Sequence, residues 1–500
     1  MKRLGFLLSI ATAVAQPARS QQPAHDAHAL VAAAIHAMEG RASLSALRSL
    51  RAEGMQHEFI LGNAERAEGP WRTAYTRFAE LRDLGDGRER RTEQQIAADG
   101  TIGPSRVVVL ADSVAAATSG TQQRGLSPAS YESVIDHVDD SPERVLLLAA
   151  AAPGLHWERV VGRYGLVFDV VSFPWRNDRM RLELRRSTHF PDAVEIVRPY
   201  PKNFRWAPFG DVTMRTDYVD WMDQSSGVWW PMQHKVSFNG QPSRDVTIAH
   251  VVLSDEPVSP DSVDVSDSAR AEYSANAKLT FDNFGIGMRG TPKDLRAGIV
   301  RIPDFWAMTL VDQSDGVVIF EAHISAAYLQ DVIGEAGRRF PGKPIKAIVM
   351  TSHPWAHIGG VREAIALGIP IYVSAGSVPF LTALARTPHT LLPDSLQRAP
   401  RAPRFVAVSR KITIGSGETR IELFPVGGES GERMLMAYFP AHRLLYGADL
   451  VYPNDGPDEN RAPATDLMNA VARARLQVDS VFCVQNQDPV DWREFVEKSR

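Results

Sequence analysis

Short runs of alternating apolar and polar residues fill two parts of the chain, about residues 53–110 and 160–253. Examples are GLVFDVVSF, MRLELRR and DVTIAHVVLS, and turn pairs such as Asn239-Gly240 separate them. A side-chain period of two is typical of strands with one buried face, and short turns join antiparallel neighbours. The pattern predicts an antiparallel sheet or open barrel, interrupted by a helix over 141–155.

The N-terminal residues have two distinct textures. MKRLGFLLSIATAVA is a basic start followed by an apolar run, which is typical of a secretory signal peptide and too short to span a bilayer. We therefore expect residues 1–20 to be a signal peptide and the protein to be periplasmic or secreted. Further on, apolar residues recur at three- and four-residue spacing, which predicts a helix over about 26–52.

Length and composition indicate a soluble protein with more than one domain. The chain has 500 residues, of which 44% are hydrophobic and 23% charged, and its net charge is −4. There is no basic block that would indicate nucleic acid as a partner, and no later stretch has the length of a membrane span. Because the segment 256–279 is rich in Ser, Asp and Ala, it is typical of a linker, with or without a short helix. We therefore expect a first domain at 26–255 and a second at 280–500.

The second domain mixes helical and strand patterns. WAMTLVDQSDGVVIFEA predicts a hairpin around Asp315-Gly316, ISAAYLQDVIGEAGRRF an amphipathic helix, and IKAIVMT and IPIYVS two buried strands separated by the helix VREAIALG. The single cysteine, Cys483, lies in the strand-like segment DSVFCVQ, where we expect a packed thiol. The fold class predicted for the whole chain is α/β (α+β), with a helix and antiparallel β-sheet domain first.

Segments over most of residues 295–495 resemble the metallo-β-lactamase superfamily. They are SDGVVIFEA, FPGKPIKAIVMTSH, HIGGVREAIALGIPIYVS, MLMAYFP, LLYGADLVYP and DSVFCVQ. The resemblance implies an αββα sandwich, in which two sheets lie between helix layers. It also implies a site for one or two metal ions, usually zinc, that activate water for hydrolysis.

The metal loop of that family follows a strand-end Thr and reads His-x-His-x-Asp-His-x-Gly-Gly. The corresponding stretch here is TSHPWAHIGG, in register with Thr351 and Gly359-Gly360. The four ligand positions of the loop then hold Ser352, Pro354, Ala356 and His357. Only His357 matches a ligand of the family, because Pro and Ala have no side-chain donor atom and neutral Ser is a poor zinc ligand.

The other ligand positions implied by the resemblance are also changed. One family histidine corresponds to Ser430, and the last one falls among Gln485, Asn486 and Gln487, whereas the bridging carboxylate is kept as Asp449. His357 and Asp449 alone are too few ligands for a catalytic zinc. The former pocket is therefore predicted to be degenerate and without a cofactor, and to serve noncatalytic binding of an unknown small molecule or protein.

A rebuilt metal site is the alternative to this prediction. If Pro354 shifts the loop, His353 can turn inward and join His357, Asp449 and Glu429 as ligands of zinc in a metal-dependent hydrolase. A metal-free hydrolytic mechanism is a further alternative. In the absence of a metal, a buried Asp449 needs a partner, so we expect His357 and Asp449 to contact each other directly.

A carrier function is the third hypothesis, and it concerns the first domain. DYVDWMDQSSGVWWPMQHKVSFNGQPSRDVTIAHVVL loosely resembles the late hairpins of periplasmic lipoprotein-carrier-like sheets, which implies an apolar ligand. A cavity lined by Trp and Met would favour that function. The competing expectation is that Trp221, Trp229 and Trp230 fill a core or a sheet face.

The remaining candidates have weaker signals. His234, His250 and His323 each stand alone in strand-like runs, where a structural role is expected. The proline-rich segment 385–405 matches a family insertion near the pocket mouth, but it is equally consistent with a surface loop.

Overall fold

The structure of the protein is a computed structural model. It describes residues 26–39, 44–60, 69, 71–97, 100–203, 205–224, 226–277, 290–304, 306–451, 457–485 and 488–499. The predicted signal peptide and the candidates Asn486 and Gln487 lie outside these residues. Across the described ranges, every helix is too short or too polar to cross a bilayer.

Thirteen strands form one sheet in the first part of the molecule. They are β1 Ser49–Ile60, β2 Arg72–Asp83, β3 Arg88–Ile96, β4 Ile102–Ala111, β5 Val114–Ser119, β6 Gln122–Gly125, β7 His156–Arg163, β8 Leu166–Trp175, β9 Asp178–Arg185, β10 Pro191–Arg198, β11 Val212–Asp223, β12 Trp229–Phe238 and β13 Gln241–Ser254. Their order is β6-β5-β4-β3-β2-β1-β13-β12-β11-β10-β9-β8-β7, with neighbours antiparallel. The predicted turn Asn239-Gly240 joins β12 to β13, and both residues have the positive φ, 50° and 79°, that such two-residue hairpins require.

Helices cover one face of this sheet. They are α1 Ala27–Met38, α2 Pro128–Asp139 and α3 Pro142–Ala151, and a further helix, α4 Asp267–Asn276, packs on β5 and β6. Val31 and Met38 of α1 meet Val145 and Leu146 of α3 in a core that also contains sheet residues such as Ile196. Trp221 and Trp230 contribute to the same core, as expected, and Trp221 stacks on Phe190, whereas Trp229 is exposed.

The second part of the molecule contains two mixed sheets. The first holds β14 Lys293–Arg296, β15 Ile299–Ile302, β16 Met308–Gln313, β17 Gly316–Phe320, β18 Ile345–Val349, β19 Ile371–Ser374 and β20 Phe405–Val408, in that order. The second holds β21 Ile412–Ile414, β22 Ile421–Pro425, β23 Leu435–Phe439, β24 Leu444–Tyr446, β25 Ser480–Phe482 and β26 Val490–Asp491. Strands β17 to β20 run parallel, which fits the predicted α/β class.

The two sheets share one core and are flanked by helices. These are α5 Ala326–Arg339, α6 Trp355–Ile358, α7 Val361–Leu367, α8 Val378–Ala385, α9 Ser395–Arg398, α10 Pro457–Ala474 and α11 Trp492–Lys498. Phe320 and Val349 of the seven-stranded sheet pack in the same cluster as Leu423 and Leu445 of the six-stranded sheet. A separate cluster joins α5, α7 and α8 to the seven-stranded sheet, so helices and sheets are layered. Cys483 is buried after β25, and burial raises the pKa of its thiol to about 12.

One expectation from the sequence needs correction. The helix predicted over 26–52 ends at Met38, and residues 49–60 form strand β1, because pairing with β2 and β13 outweighs the helical spacing. The short helix allowed for in the linker segment is α4, and its Glu272 accepts a hydrogen bond from the backbone N–H of Gly125 at 3.1 Å. A Cβ on Gly125 would lie 2.4 Å from the backbone nitrogen of Tyr273, so glycine allows this close packing.

The proline-rich segment connects the two parts of the molecule. The backbone N–H of Asp211 donates to the carbonyl of Pro388 at 2.8 Å, and the Asp211 carboxylate accepts from the N–H groups of Thr390 and Leu391, each at 3.0 Å. Phe209 and Phe380 meet edge to face next to it. The segment is therefore a contact between the two parts.

Candidate functional site

The candidate site lies where two parallel strands end side by side. Glu321 and His323 directly follow β17, and the loop that leads to His357 follows β18. Asp449 enters from the turn after β24 in the facing sheet. Because the carboxyl ends of parallel strands meet at one edge of a sheet, side chains distant in sequence come together there.

His357 is the centre of the hydrogen-bond network. Its Nε2 lies 2.6 Å from Asp449 Oδ2, and its Nδ1 lies 2.8 Å from Glu321 Oε2. Ser352 also donates to Asp449. The direct contact expected between His357 and Asp449 is thus present, and a second carboxylate, Glu321, lies on the opposite side of the ring.

Glu321 accepts hydrogen bonds from other groups in addition to its contact with His357. Its Oε1 accepts hydrogen bonds from the Thr351 hydroxyl and, at 3.2 Å each, from the Thr351 backbone N–H and the Tyr446 hydroxyl. The side chain is fully buried. A buried carboxylate with this many donors is fixed in one orientation.

His323 completes a compact group with these residues. Its Nε2 lies 3.0 Å from His357 Nδ1 and 3.8 Å from Glu321 Oε2, and its Nδ1 lies 3.3 Å from the carbonyl oxygen of Trp306. The side chains of Glu321, His323 and His357 are exposed by at most 1%, whereas that of Asp449 is 17% exposed. This group could hold a metal ion.

The backbone around the site adopts conformations that side-chain-bearing residues avoid. Glu321, Ile324 and Ala448 have φ values of 73°, 63° and 48°. Such strain persists only where surrounding contacts enforce it, and it concentrates at functional sites. Gly359 contributes differently, because a Cβ there would lie 2.0 Å from the carbonyl oxygen of Ile324. The glycine pair therefore lets the loop lie directly against residues 322–324.

Burial and neighbouring charges shift the pKa values of the residues in the site. Burial disfavours the His357 imidazolium, but the carboxylates of Asp449 and Glu321 outweigh it and raise the pKa of His357 to about 10. Burial opposes ionisation of both carboxyls, yet His357 holds the pKa values of Asp449 and Glu321 below their usual range. Burial and the neighbouring His357 lower the pKa of His323 to about 4, so its ring is neutral at pH 7.

The other predicted loop residues are divided between this network and its surroundings. Ser352 joins the network through Asp449. His353 is buried, but its Nδ1 contacts the Ser377 hydroxyl at 3.2 Å and its ring packs near Phe380. Pro354 is half-buried and precedes α6, and Ala356 lies within that helix.

The candidate residues that follow the metal loop in sequence do not join the group of Glu321, His323 and His357. Ser430 is buried, and its backbone N–H donates to Asp466 Oδ2 at 2.8 Å. Glu429 is exposed, and Gln485 is half-buried. Among the described residues, two groups of three have ligand atoms all within 4.8 Å, and neither contains His353 or Glu429. The rebuilt set of His353, His357, Asp449 and Glu429 is therefore not assembled.

Sequence reasoning missed Glu321 and His323. Glu321 was read only as part of the framework segment SDGVVIFEA, and His323 as a solitary structural histidine. A signal was available, since both follow the buried strand GVVIF, whose end points to the same edge as the metal-loop residues. Polar residues at the ends of adjacent parallel strands would have identified them.

The second group of metal-ligand types lies in the first part of the molecule. It consists of Glu80, Glu89 and His137. Arg91 Nη1 lies 2.7 Å from Glu80 Oε2 and 2.9 Å from His137 Nε2, and Arg82 forms an ion pair with Glu80. Arginine side chains therefore already supply cations to this group.

No family model and no curated protein matches the chain. Among solved structures, the chain is similar to the DIM-1 metallo-β-lactamase, with 14% identity and a TM-score of 0.32 over 42% of this chain and 94% of that chain. It is similar to a metallo-β-lactamase from Pontibacter korlensis, with 13% identity and a TM-score of 0.31 over 42% and 96%. It is also similar to the inverting sec-alkylsulfatase Pisa1 from Pseudomonas sp., with 15% identity and a TM-score of 0.31 over 44% of this chain and 41% of that chain. At such identities the chemistry of the site follows only from its own side chains.

Proposed function

We propose that this protein is an exported, noncatalytic binding protein whose second domain keeps a metallo-β-lactamase-like sandwich without the catalytic metal centre. The observation that supports this most directly is the contact of 2.6 Å between His357 Nε2 and Asp449 Oδ2. The two side chains that match the ligands of the family are bound to each other. Export rests on the basic and apolar N-terminal sequence.

The residues at the ligand positions of the family do not fit a catalytic zinc. Such a site needs three protein ligands and an open position. Ser352, Pro354 and Ser430 supply no strong ligand. His357 Nε2 is hydrogen-bonded to Asp449. We therefore assign no hydrolytic step to this pocket.

The proposed ligand is an amphipathic anion that binds in the first domain. A cavity of about 310 Å³ lies between the sheet and α3, near the lower end of the range for small-molecule sites. Its apolar wall contains five leucines, Leu44, Leu47, Leu84, Leu147 and Leu148. The carrier hypothesis expected Trp and Met in such a wall; the described lining has leucine there.

The polar side of the cavity favours a negative head group. It contains four arginines and three acidic residues, namely Arg48, Arg82, Arg88, Arg144, Asp83, Glu89 and Glu143. Burial raises the pKa of Glu89 to about 8, so this side chain is largely neutral at pH 7. Because Arg82 is paired with Glu80, the exposed Arg48 is the arginine proposed to attract the head group. A carboxylate or phosphate ester with a short apolar chain matches both walls.

The experiment compares decanoate with decanol by isothermal titration calorimetry on the full chain. Decanoate should bind and decanol should bind at least tenfold more weakly, and Arg48→Glu should remove this preference. Arg51→Glu is the matched control, because Arg51 is exposed on β1 outside the cavity lining. Equal affinity for both compounds would refute the anionic head group. Zinc-dependent hydrolysis of a β-lactam, ester or sulfate ester that disappears in His357→Gln would refute the noncatalytic function.

A further inference from the structure

The histidine tautomers in the candidate site follow from the acceptors around them. A backbone carbonyl oxygen only accepts hydrogen bonds, so the hydrogen bond to Trp306 needs the proton of His323 on Nδ1. In that tautomer the lone pair of His323 Nε2 faces His357 Nδ1, 3.0 Å away. In the same way, His357 Nε2 donates to the carboxylate of Asp449.

The three remaining atoms have too few protons among them. His357 Nδ1, His323 Nε2 and Glu321 Oε2 are separated by 3.0, 2.8 and 3.8 Å. A proton on His357 Nδ1 can point at only one of its two neighbours. The other contact, 2.8 or 3.0 Å long, then has no hydrogen along it in a fully buried place, which is unfavourable.

A metal ion satisfies all three lone pairs at once. Zinc with N and O ligands at about 2.0–2.1 Å in tetrahedral geometry holds its ligand atoms roughly 3.3 Å apart. The observed separations of 2.8, 3.0 and 3.8 Å lie on both sides of that value. Two imidazole nitrogens and one carboxylate oxygen are also a donor set suited to zinc.

Each of the three donors is oriented by a further partner, as metal ligands usually are. Asp449 holds His357, the carbonyl of Trp306 holds His323, and Thr351 with Tyr446 holds the second oxygen of Glu321. We propose that Glu321, His323 and His357 form a buried binding site for one zinc ion, displaced inward from the ligand positions of the family.

The burial of this site decides its role. The ion lies on the Nδ1 side of His357, and all three ligands are exposed by at most 1%, so a substrate has no access to it. The ion instead joins the segment after β17 to the loop 351–360 and stabilises the second domain. This inference does not depend on ligand binding by the first domain.

The test measures metal content of the full chain, purified without chelator and dialysed against zinc buffered at micromolar concentration. The wild type should retain about one zinc per chain. His323→Gln should lower zinc affinity at least tenfold, since a ligand is lost. His353→Gln is the matched control, because His353 is also a buried histidine but contacts Ser377 instead. Loss of zinc in His353→Gln with retention in His323→Gln would overturn the assignment.

A second measurement uses only the wild type, so its result does not depend on whether the variants fold. Wild-type protein loaded with Co²⁺ should show the visible d–d bands of a site with nitrogen and oxygen ligands, without a thiolate charge-transfer band, because Cys483 is not a ligand. Absence of Co²⁺ and zinc binding, together with an ¹⁵N spectrum of a doubly protonated His357 ring, would show that a proton occupies the site and overturn the proposal.

Discussion

The two groups of carboxylates and histidines have similar composition and different neighbours. We call Glu80, Glu89 and His137 the first cluster, and Glu321, His323 and His357 the second cluster. In the first cluster, Arg82 and Arg91 are themselves more than nine-tenths buried and lie against Glu80. The second cluster is bound by hydroxyl, amide and carbonyl groups and by Asp449. The same donor types therefore form an ion-pair network where buried arginines supply the cations, and a candidate metal site where no arginine or lysine contacts the three side chains among the described residues.

The largest effect should come from removing a cation of the first cluster. Arg82→Met leaves Glu80 buried with less compensation, and breaking such a pair typically costs about 3–5 kcal/mol. We expect the variant to lower the free energy of unfolding by about that amount in urea titrations. If the variant keeps wild-type stability, the arginines do not balance the carboxylates and the comparison fails.

A smaller loss is expected when the second cluster loses its carboxylate. Glu321→Gln keeps the shape but removes the charged acceptor of Thr351 and Tyr446, which should cost about 1.5–3 kcal/mol. Thermal melts with chelator and with added zinc should show that the wild type is stabilised by zinc, by about 2.7 kcal/mol at a hundred times Kd. Glu321→Gln should lose that difference, and Glu80→Gln should keep it. A zinc-dependent shift that is unchanged in Glu321→Gln would contradict the distinction between the clusters.

The clusters should also differ in their response to pH. Burial raises the pKa of Glu89 from 4.5 to about 8 in the folded state. The unfolded chain releases this proton near its ordinary pKa, so the contribution of Glu89 is lost as pH rises from about 4.5 to 8. Glu89→Gln cannot ionise, and the decline in unfolding free energy over that window should become flatter by on the order of 1–3 kcal/mol. Urea titrations at several pH values measure this. If the slope of unfolding free energy against pH is the same in the wild type and in Glu89→Gln, Glu89 ionises in the folded protein as it does in the unfolded chain.

The smallest effect is expected at Glu429, the exposed residue that the sequence proposed as a metal ligand. Glu429→Ala should change stability by no more than about 0.5 kcal/mol and leave the zinc content unchanged. Measuring the zinc content of Glu429→Ala in parallel with that of His353→Gln checks this directly. A loss of bound zinc in either variant would restore the rebuilt site and remove the second cluster from its role.

Much of the fold could be predicted from local patterns. The alternation of apolar and polar residues predicted the strands of the first part. Asn239-Gly240 predicted a hairpin, because few other residue pairs accept positive φ at both turn positions. The boundary of α1 was predicted wrongly, since residues 49–52 have helical spacing and yet pair with strands on both sides. Helix α2 was missed because its sequence, PASYESVIDHVD, is more polar on average than those of α1 and α3.

For the site, the sequence by itself predicted which positions implied by the metallo-β-lactamase resemblance lack a strong metal ligand, and that His357 and Asp449 contact each other. It could do so because a side chain without a donor atom cannot bind a cation in any conformation. Only the tertiary structure decided that Glu321 and His323 lie beside His357, and that arginines fill the first cluster. The reason is that neighbours across strand ends and between sheets are set by long-range packing, which no local spacing encodes.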